Sequence, residues 1–254
     1  MIGVVDLNAD VGESYGLMKS GHDELIIPHI TSVNIATGFH SGDPDTIKKT
    51  IDLSIKHNKS IGAHPSYPDL QGFGRREMKL TSESIKNIIT YQIGALDAFL
   101  GGAMVHVKPH GALYNLACKD LEVAEAIFNS VDNFRSEIIH VVLANSPWQN
   151  LLSSKKIKFA KEGFADRALT DDGLLVPRSE KGAVISNKDQ ILERTIGMVQ
   201  TGSIKSISGK LIKIDPDTIC LHGDNNESVS LAKSIKEELL RSGCDLKPLK
   251  EFIK

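Results

Sequence analysis

The chain is predicted to be an α/β protein, a single distorted barrel of β-α units with about seven strands. Three observations predict it. Short apolar, often β-branched runs alternate with segments whose apolar residues recur every three or four positions, the pattern of a parallel sheet with helical crossovers. The length, 254 residues, is usual for one such barrel. Clusters of ionisable and hydrogen-bonding residues recur at the ends of strand candidates from the first to the last. In a parallel sheet the loops after the strands share one edge, so the clusters belong to one site there. A doubly wound open sheet is the alternative.

Strands are expected at residues 3–7, 32–36, 60–63, 104–107, 138–143, 157–160 and 218–221, several of them continuous apolar runs suited to burial on both faces. Between them, Asp43-Pro44 is a cap followed by proline at the first helical position, and Ile47, Ile51 and Ile55 should line one helix face. Thr81 opens a long helix carrying Ile85, Ile89, Ile93 and Leu96, stopped by Gly101-Gly102. Asp120 starts another, Asn187 or Lys188 a further one, and Asn225 or Asn226 the last. Residues 202–214 break the alternation: two short strand-like segments flank Gly209-Lys210 and read as a small hairpin inserted in one domain spanning 1–254.

Hydrophobic residues make up 41% of the chain and charged residues 24%, enough for a sizeable core. A formal charge of −2 and 5% aromatic residues give no reason to expect nucleic-acid or anionic-membrane binding. Three cysteines, Cys118, Cys220 and Cys244, match no zinc spacing and no disulfide framework. With neither a basic signal-like start nor an apolar run of membrane length, the chain reads as soluble and cytoplasmic.

Each cluster carries chemistry. Asp6, Asn8 and Asp10 alternate with apolar residues, so their side chains share one face of an extended segment; Glu13 follows. They can bind a metal, hold a substrate or act as a base, or they can be turn-forming caps. Asn34 opens the second cluster, in which His40 precedes the capped helix and Gly38 and Gly42 permit close backbone approach; Asp43 reads as a plain cap. His64 ends the third strand, before a long loop of prolines, glycines and aromatics that carries Arg75-Arg76, a pair able to clamp an anion. Lys108 and His110 form the strongest cluster. A lysine ending an apolar strand is costly to bury and calls for an acid or an anionic ligand, and His110 is a natural proton carrier. His106, inside the strand, reads as a core histidine. Glu162, Asp166 and Arg167 are expected in the loop after the sixth strand, with Arg178 further on, and His222 and Asp224 after the last strand.

Six stretches, DLNADVGESYG (6–16), NIATGFHSGDP (34–44), GAHPSYPDLQGFGRR (62–76), VKPHGALYN (107–115), EGFADRAL (162–169) and CLHGD (220–224), resemble in wording and order the LamB/YcsF family of 5-oxoprolinase A subunits. Ala9 and Thr37 stand where many relatives would carry cysteine, so neither place needs a cysteine nucleophile; Leu169 replaces an expected tyrosine. The resemblance implies a barrel similar to that of carbohydrate deacetylases and glycoside hydrolases. It also implies ATP-dependent hydrolysis of 5-oxoproline to L-glutamate together with partner subunits B and C. On that reading Asp10, Glu13, His64, Lys108, His110, His222 and Asp224 are catalytic. Asp6, Asn8, Asn34, His40, Arg75, Glu162, Asp166 and Arg167 bind substrate.

No phosphate-binding G-x-x-x-x-G-K-[ST] occurs; Gly202 to Gly209-Lys210 has the wrong spacing and setting, so ATP is expected at an interface shared with the partner subunits. Two rivals stand beside this reading. One is a metal-dependent deacetylase or amidohydrolase of another small amide, with Asp10, His40 and His64 as ligands of a divalent metal. The other is a non-catalytic substrate-binding subunit. The H-x-x-x-H of His106 and His110 runs along a strand, not a helix, and makes a poor chelate.

Overall fold

The structure is a computed structural model and describes residues 3–221 and 226–254. Seven parallel strands close into a barrel: β1 (Val4–Val11), β2 (Ser32–Ala36), β3 (Ser60–His64), β4 (His106–Val107), β5 (Ile139–Leu143), β6 (Phe159–Phe164) and β9 (Thr218–Leu221), with β9 pairing back onto β1. The larger flanking helices are α2 (Pro44–Lys56), α3 (Ser82–Leu100), α5 (Leu121–Phe134), α7 (Lys188–Thr201) and α8 (Asn226–Arg241). Shorter ones are α1 (Asp23–Ile26), α4 (Gly111–Ala117) and α6 (Pro147–Ser154). The antiparallel hairpin β7 (Ser203–Lys205) and β8 (Leu211–Lys213) stands apart from the barrel sheet. A short strand, β10 (Asp245–Leu246), pairs with the start of β1.

Caps set the helix boundaries as expected from the sequence. Asp43, Thr81, Asp120 and Asn187 accept hydrogen bonds from the first-turn amides of α2, α3, α5 and α7, satisfying donors that a helix start leaves open. Gly101 ends α3 in the left-handed conformation. On α2 the expected apolar face is only partly right. Ile47 and Ile51 are buried, but Ile55 is 59% exposed. A strict four-residue repeat drifts by roughly 40° per step around a helix of 3.6 residues per turn, and Thr50 and Ser54 are buried instead.

Strand parity decides what lies inside the barrel. Along β1 the odd residues Val5, Leu7, Ala9 and Val11 join the large apolar core, while Asp6 and Asn8 meet Thr218 of the neighbouring strand β9. The expected strand ends of β1 and β6 therefore need correction. β1 continues to Val11 and β6 to Phe164, so Asn8, Asp10 and Glu162 sit in strands and not beyond their ends. Polar residues look like strand breakers only if the barrel interior is assumed apolar, and here it is not. One glycine shows how full that interior is: a Cβ on Gly62 would run into the His106 ring. No helix among the described residues is long and apolar enough to cross a membrane.

His140 is an even residue on β5 that faces outward, its ring 6.0 Å from Phe128 of α5. Burial alone pulls its pKa down to about 4, so the folded protein holds it neutral while the unfolded chain protonates near pH 6.5. Stability from this residue is complete above pH 6.5 and is lost as pH falls towards 4, by about 3 kcal/mol. Urea unfolding of His140→Leu across that range should show a shallower pH dependence than the parent. An unchanged slope would refute the assignment.

Candidate active site

The inward face of β1 founds the site. Asp6 lies deepest and accepts hydroxyl hydrogens from Thr31 (2.6 Å), Ser32 (2.5 Å) and Thr218 (2.5 Å); burial pushes its pKa up to about 6 despite those donors. Asn8 donates to Thr218 (2.7 Å) and to Glu162 (3.2 Å) and accepts from Asn34 (2.7 Å). The other Asn34 amide hydrogen goes to Asp10 at 2.9 Å, and His106 Nε2 donates to the Asn34 carbonyl oxygen at 2.8 Å. Burial, then Lys108, hold His106 down at about 3, so it is neutral, the core histidine expected from the sequence. Asp6, Asn8, Asn34 and Glu162 were expected at the substrate. All four are buried outside the cleft lining as a hydrogen-bonded floor, which fixes the groups above.

Lys108 rises from this floor at the end of β4. Its ammonium lies 2.9 Å from Glu162 Oε1, 3.0 Å from Asp10 Oδ1 and 3.0 Å from Cys220 Sγ. Burial alone would drive its pKa down; Asp10 and Glu162 outweigh that and hold it well above the ordinary value. Burial pushes the Cys220 thiol up as well, so it keeps its proton, and the charge that secures Lys108 is on the two carboxylates.

Beside the ammonium stand Glu13, His40, His64 and His110, with one potential ligand atom from each lying within 4.8 Å of the others. His64 Nε2 is 3.2 Å from Asp10 Oδ2 and 3.0 Å from His110 Nδ1. Glu13 Oε1 is 3.2 Å from His40 Nε2 and 3.6 Å from His110 Nδ1. Burial first, then neighbouring histidines, press the pKa values of His40 and His110 well below ordinary, so both are neutral. Of the metal set expected from sequence, Asp10 with His40 and His64, the two histidines fall in this group with Glu13 and His110, and Asp10 lies beside it, 3.2 Å from His64 and bonded to Lys108 and Asn34.

A cleft of about 390 Å³ opens over these groups, lined among others by Asp10, Glu13, His64, Lys108, His110, Tyr114, Phe164 and the arginines Arg75, Arg167 and Arg178. One wall is the loop after β3. Gln92 of α3 pins it, bonding both the amide and the carbonyl of Ser66. Gly74 and Gly111, both in the left-handed region, meet so closely that a Cβ on Gly111 would lie 2.5 Å from the Gly74 carbonyl. The opposite wall includes Leu175, Pro177, Arg178 and Ser179. Arg167 ties it down, donating to the carbonyls of Val176 (2.6 Å) and Ala183 (3.2 Å); burial, then Arg178, lower its pKa to about 10, still well inside the charged range. The adjacent arginines divide: Arg75 lines the cleft, whereas Arg76 pairs with Asp69.

Asp166 stands outside the cleft lining, on the segment whose backbone pairs with Ile185. Gly42 was expected to admit a ligand but packs on its own chain, where a Cβ would meet the Ala36 carbonyl. His222 and Asp224 lie outside the described residues. Sequence reasoning passed over Gln92, Tyr114 and Cys220 as parts of the site. Gln92 had a signal, a polar residue beside Ile85, Ile89 and Ile93 on the buried face of α3; Tyr114 lies on α4, a helix the cluster after β4 had concealed.

A closed parallel barrel with a lysine-carboxylate-imidazole site at its carboxyl edge defines an enzyme-like α/β barrel. The LamB/YcsF family model matches residues 5–254, and the chain belongs to that family. It is 48% identical to the 5-oxoprolinase A subunit of Pyrococcus furiosus over 98% of this chain and 99% of that one. It is 44% identical to the corresponding A subunit of Bacillus cytotoxicus over 91% and 93%. In structure it is similar to a lactam utilization protein from Thermus thermophilus, with a TM-score of 0.90 and 40% identity, covering 96% of this chain and 99% of that one.

Removing the ammonium would leave Asp10 and Glu162 facing each other in a buried place. Lys108→Met should therefore cost about 3–5 kcal/mol in urea unfolding at neutral pH, where Lys108→Arg costs less. Equal stability of Lys108→Met and the parent would show that the lysine does not hold the floor together.

Proposed function

We propose that the chain is the lactam-binding and lactam-opening subunit of an ATP-dependent 5-oxoprolinase that acts with partner subunits B and C. The relatives' names support the substrate. The observation that carries the reading is Lys108, a charged ammonium at the base of a small cleft rimmed by Arg75, Arg167 and Arg178. 5-Oxoproline is a small anion, a carboxylate on a five-membered lactam. Guanidinium groups suit its carboxylate, and the ammonium suits the lactam oxygen as negative charge grows there.

In this scheme the arginines orient the substrate and Lys108 faces the carbonyl. The carboxylate-imidazole group of Asp10, Glu13, His64 and His110 accepts a proton from water as its oxygen attacks the carbonyl carbon. The C–N bond then breaks, and a proton passes to the leaving nitrogen, which becomes the amine of glutamate. An unactivated amide resists this attack. ATP is the proposed activator: the lactam oxygen takes the γ-phosphoryl group, giving a phosphorylated imidate and ADP. Water attacks the imidate carbon and the C–N bond breaks, leaving an acyl phosphate and the free amine. A second water then attacks that carbon, so both carboxylate oxygens come from water and the old lactam oxygen leaves on phosphate. The nucleotide is proposed to bind where this subunit meets its partners.

Two measurements test the scheme. Glutamate release from 5-oxoproline and ATP should require this chain and both partner subunits, and should fall at least about 100-fold with Lys108→Met, the scale of losing one oxyanion donor, while Arg178→Ala raises KM. Lactam-oxygen-18 substrate should deliver its label to phosphate. Turnover with label retained in glutamate alone would rule out the imidate route, and no turnover by the complete mixture would overturn the assignment.

A further inference from the structure

The backbone fixes the tautomers of two cleft histidines. His64 Nδ1 lies 2.6 Å from the carbonyl oxygen of Lys108, and His110 Nε2 lies 2.9 Å from that of Phe73. A carbonyl oxygen only accepts, so each of these nitrogens carries the hydrogen. A metal takes uncharged imidazoles, and in that form the other nitrogens, His64 Nε2 and His110 Nδ1, which face each other at 3.0 Å, are lone pairs. Neither can donate to the other. The carboxylate oxygens nearest them, Asp10 Oδ2 at 3.2 Å and Glu13 Oε1 at 3.6 Å, are acceptors as well. Ligand atoms of Glu13, His64 and His110 thus lie within 4.8 Å of one another, with Asp10 beside His64, an arrangement that calls for a cation. Ring nitrogens aimed inward by outward N–H bonds to carbonyls are how metal-binding histidines are oriented.

His40 takes a different part. It lies flat on His110, ring centroids 3.9 Å apart and planes within 5° of parallel. Two rings stacked so closely cannot both aim an in-plane lone pair at one ion. His40 instead meets Glu13 at 3.2 Å and stands behind the cleft, where it orients that carboxylate. Ser41 fixes Glu13 from the other side, donating to its backbone carbonyl at 2.5 Å.

We propose that His64, His110 and Glu13 form a binding site for one divalent transition-metal ion, with Asp10 at its edge and a coordination position open to the cleft. Two imidazoles and one carboxylate with an open position is a donor set that suits zinc and its neighbours. Bound there, an ion would supply Lewis-acid chemistry beside the lysine. The site stands whether or not the substrate is 5-oxoproline.

The test is metal binding read apart from turnover. The purified chain, stripped by chelator dialysis, is titrated with Co2+ alone, followed by its visible d–d absorption, and with Zn2+ by calorimetry. One ion per chain is expected, with Kd at or below about 1 μM. His64→Gln and His110→Gln should each weaken binding at least about 100-fold, and His40→Gln about 10- to 100-fold, as outer-shell changes do. His57→Gln, on the helix end of α2, should leave it unchanged. X-ray absorption of the zinc-loaded parent should count two imidazoles, a readout that survives if a variant fails to fold. No saturable binding to the stripped parent, binding undiminished in both His64→Gln and His110→Gln, or sulfur scattering in the absorption spectrum would each overturn the site. Failure of glutamate release with metal binding intact would count against the substrate and not against this site.

Discussion

The buried ammonium of Lys108, held between Asp10 and Glu162, is the constraint on which the rest of the site depends. A charge taken out of water must be matched at once. β1 and β6 each bring one carboxylate to it from inside the barrel. Those carboxylates need their own partners, which brings in Asn8 and Asn34, and through Asn34 His106. Gly62 then follows, because only a residue without a side chain leaves room for that ring. One charge accounts for polar residues on β1, β2, β4 and β6.

This explains what the sequence made legible and what it did not. The closed parallel barrel could be read from alternation, caps and length, since each depends on local chemistry. Strand bounds failed at β1 and β6 because the reading treated polar side chains as the end of pairing, when parity was turning them inward. The family could be read from long motifs. Lys108 and His110 could be singled out because an ammonium after an apolar strand has few innocent explanations. Sequence could not show which polar residues are floor and which face the cleft. Asp6 and Asp10 are four residues apart on one face, yet one is sealed under three hydroxyls and the other borders the opening. That difference is depth along a barrel axis, which sequence alone does not display. Nor could it separate Arg75 from Arg76, which diverge because Asp69 claims only the second.

The histidines illustrate the same point at the level of single hydrogens. Residue type and spacing suggested a metal set containing Asp10 and His40. The carbonyls of Lys108 and Phe73 add what spacing could not, since they determine which nitrogens of His64 and His110 point inward. Both carbonyls belong to backbone beside the very clusters that the sequence marks, so the motifs carry their own orienting groups.

The cleft's two walls are built differently. On one side Gln92, Gly74 and Gly111 lock the loop after β3 against α3 and α4. On the other, the segment bearing Leu175, Pro177 and Arg178 hangs from the Arg167 side chain by bonds to backbone carbonyls, which are indifferent to side-chain identity. The ionisable cluster and this part of the lining are thereby carried on separate stretches of polypeptide. A lineage, or an engineer, can rewrite residues 174–179 and so reshape the cleft while Asp10, His64 and Lys108 stay as they are.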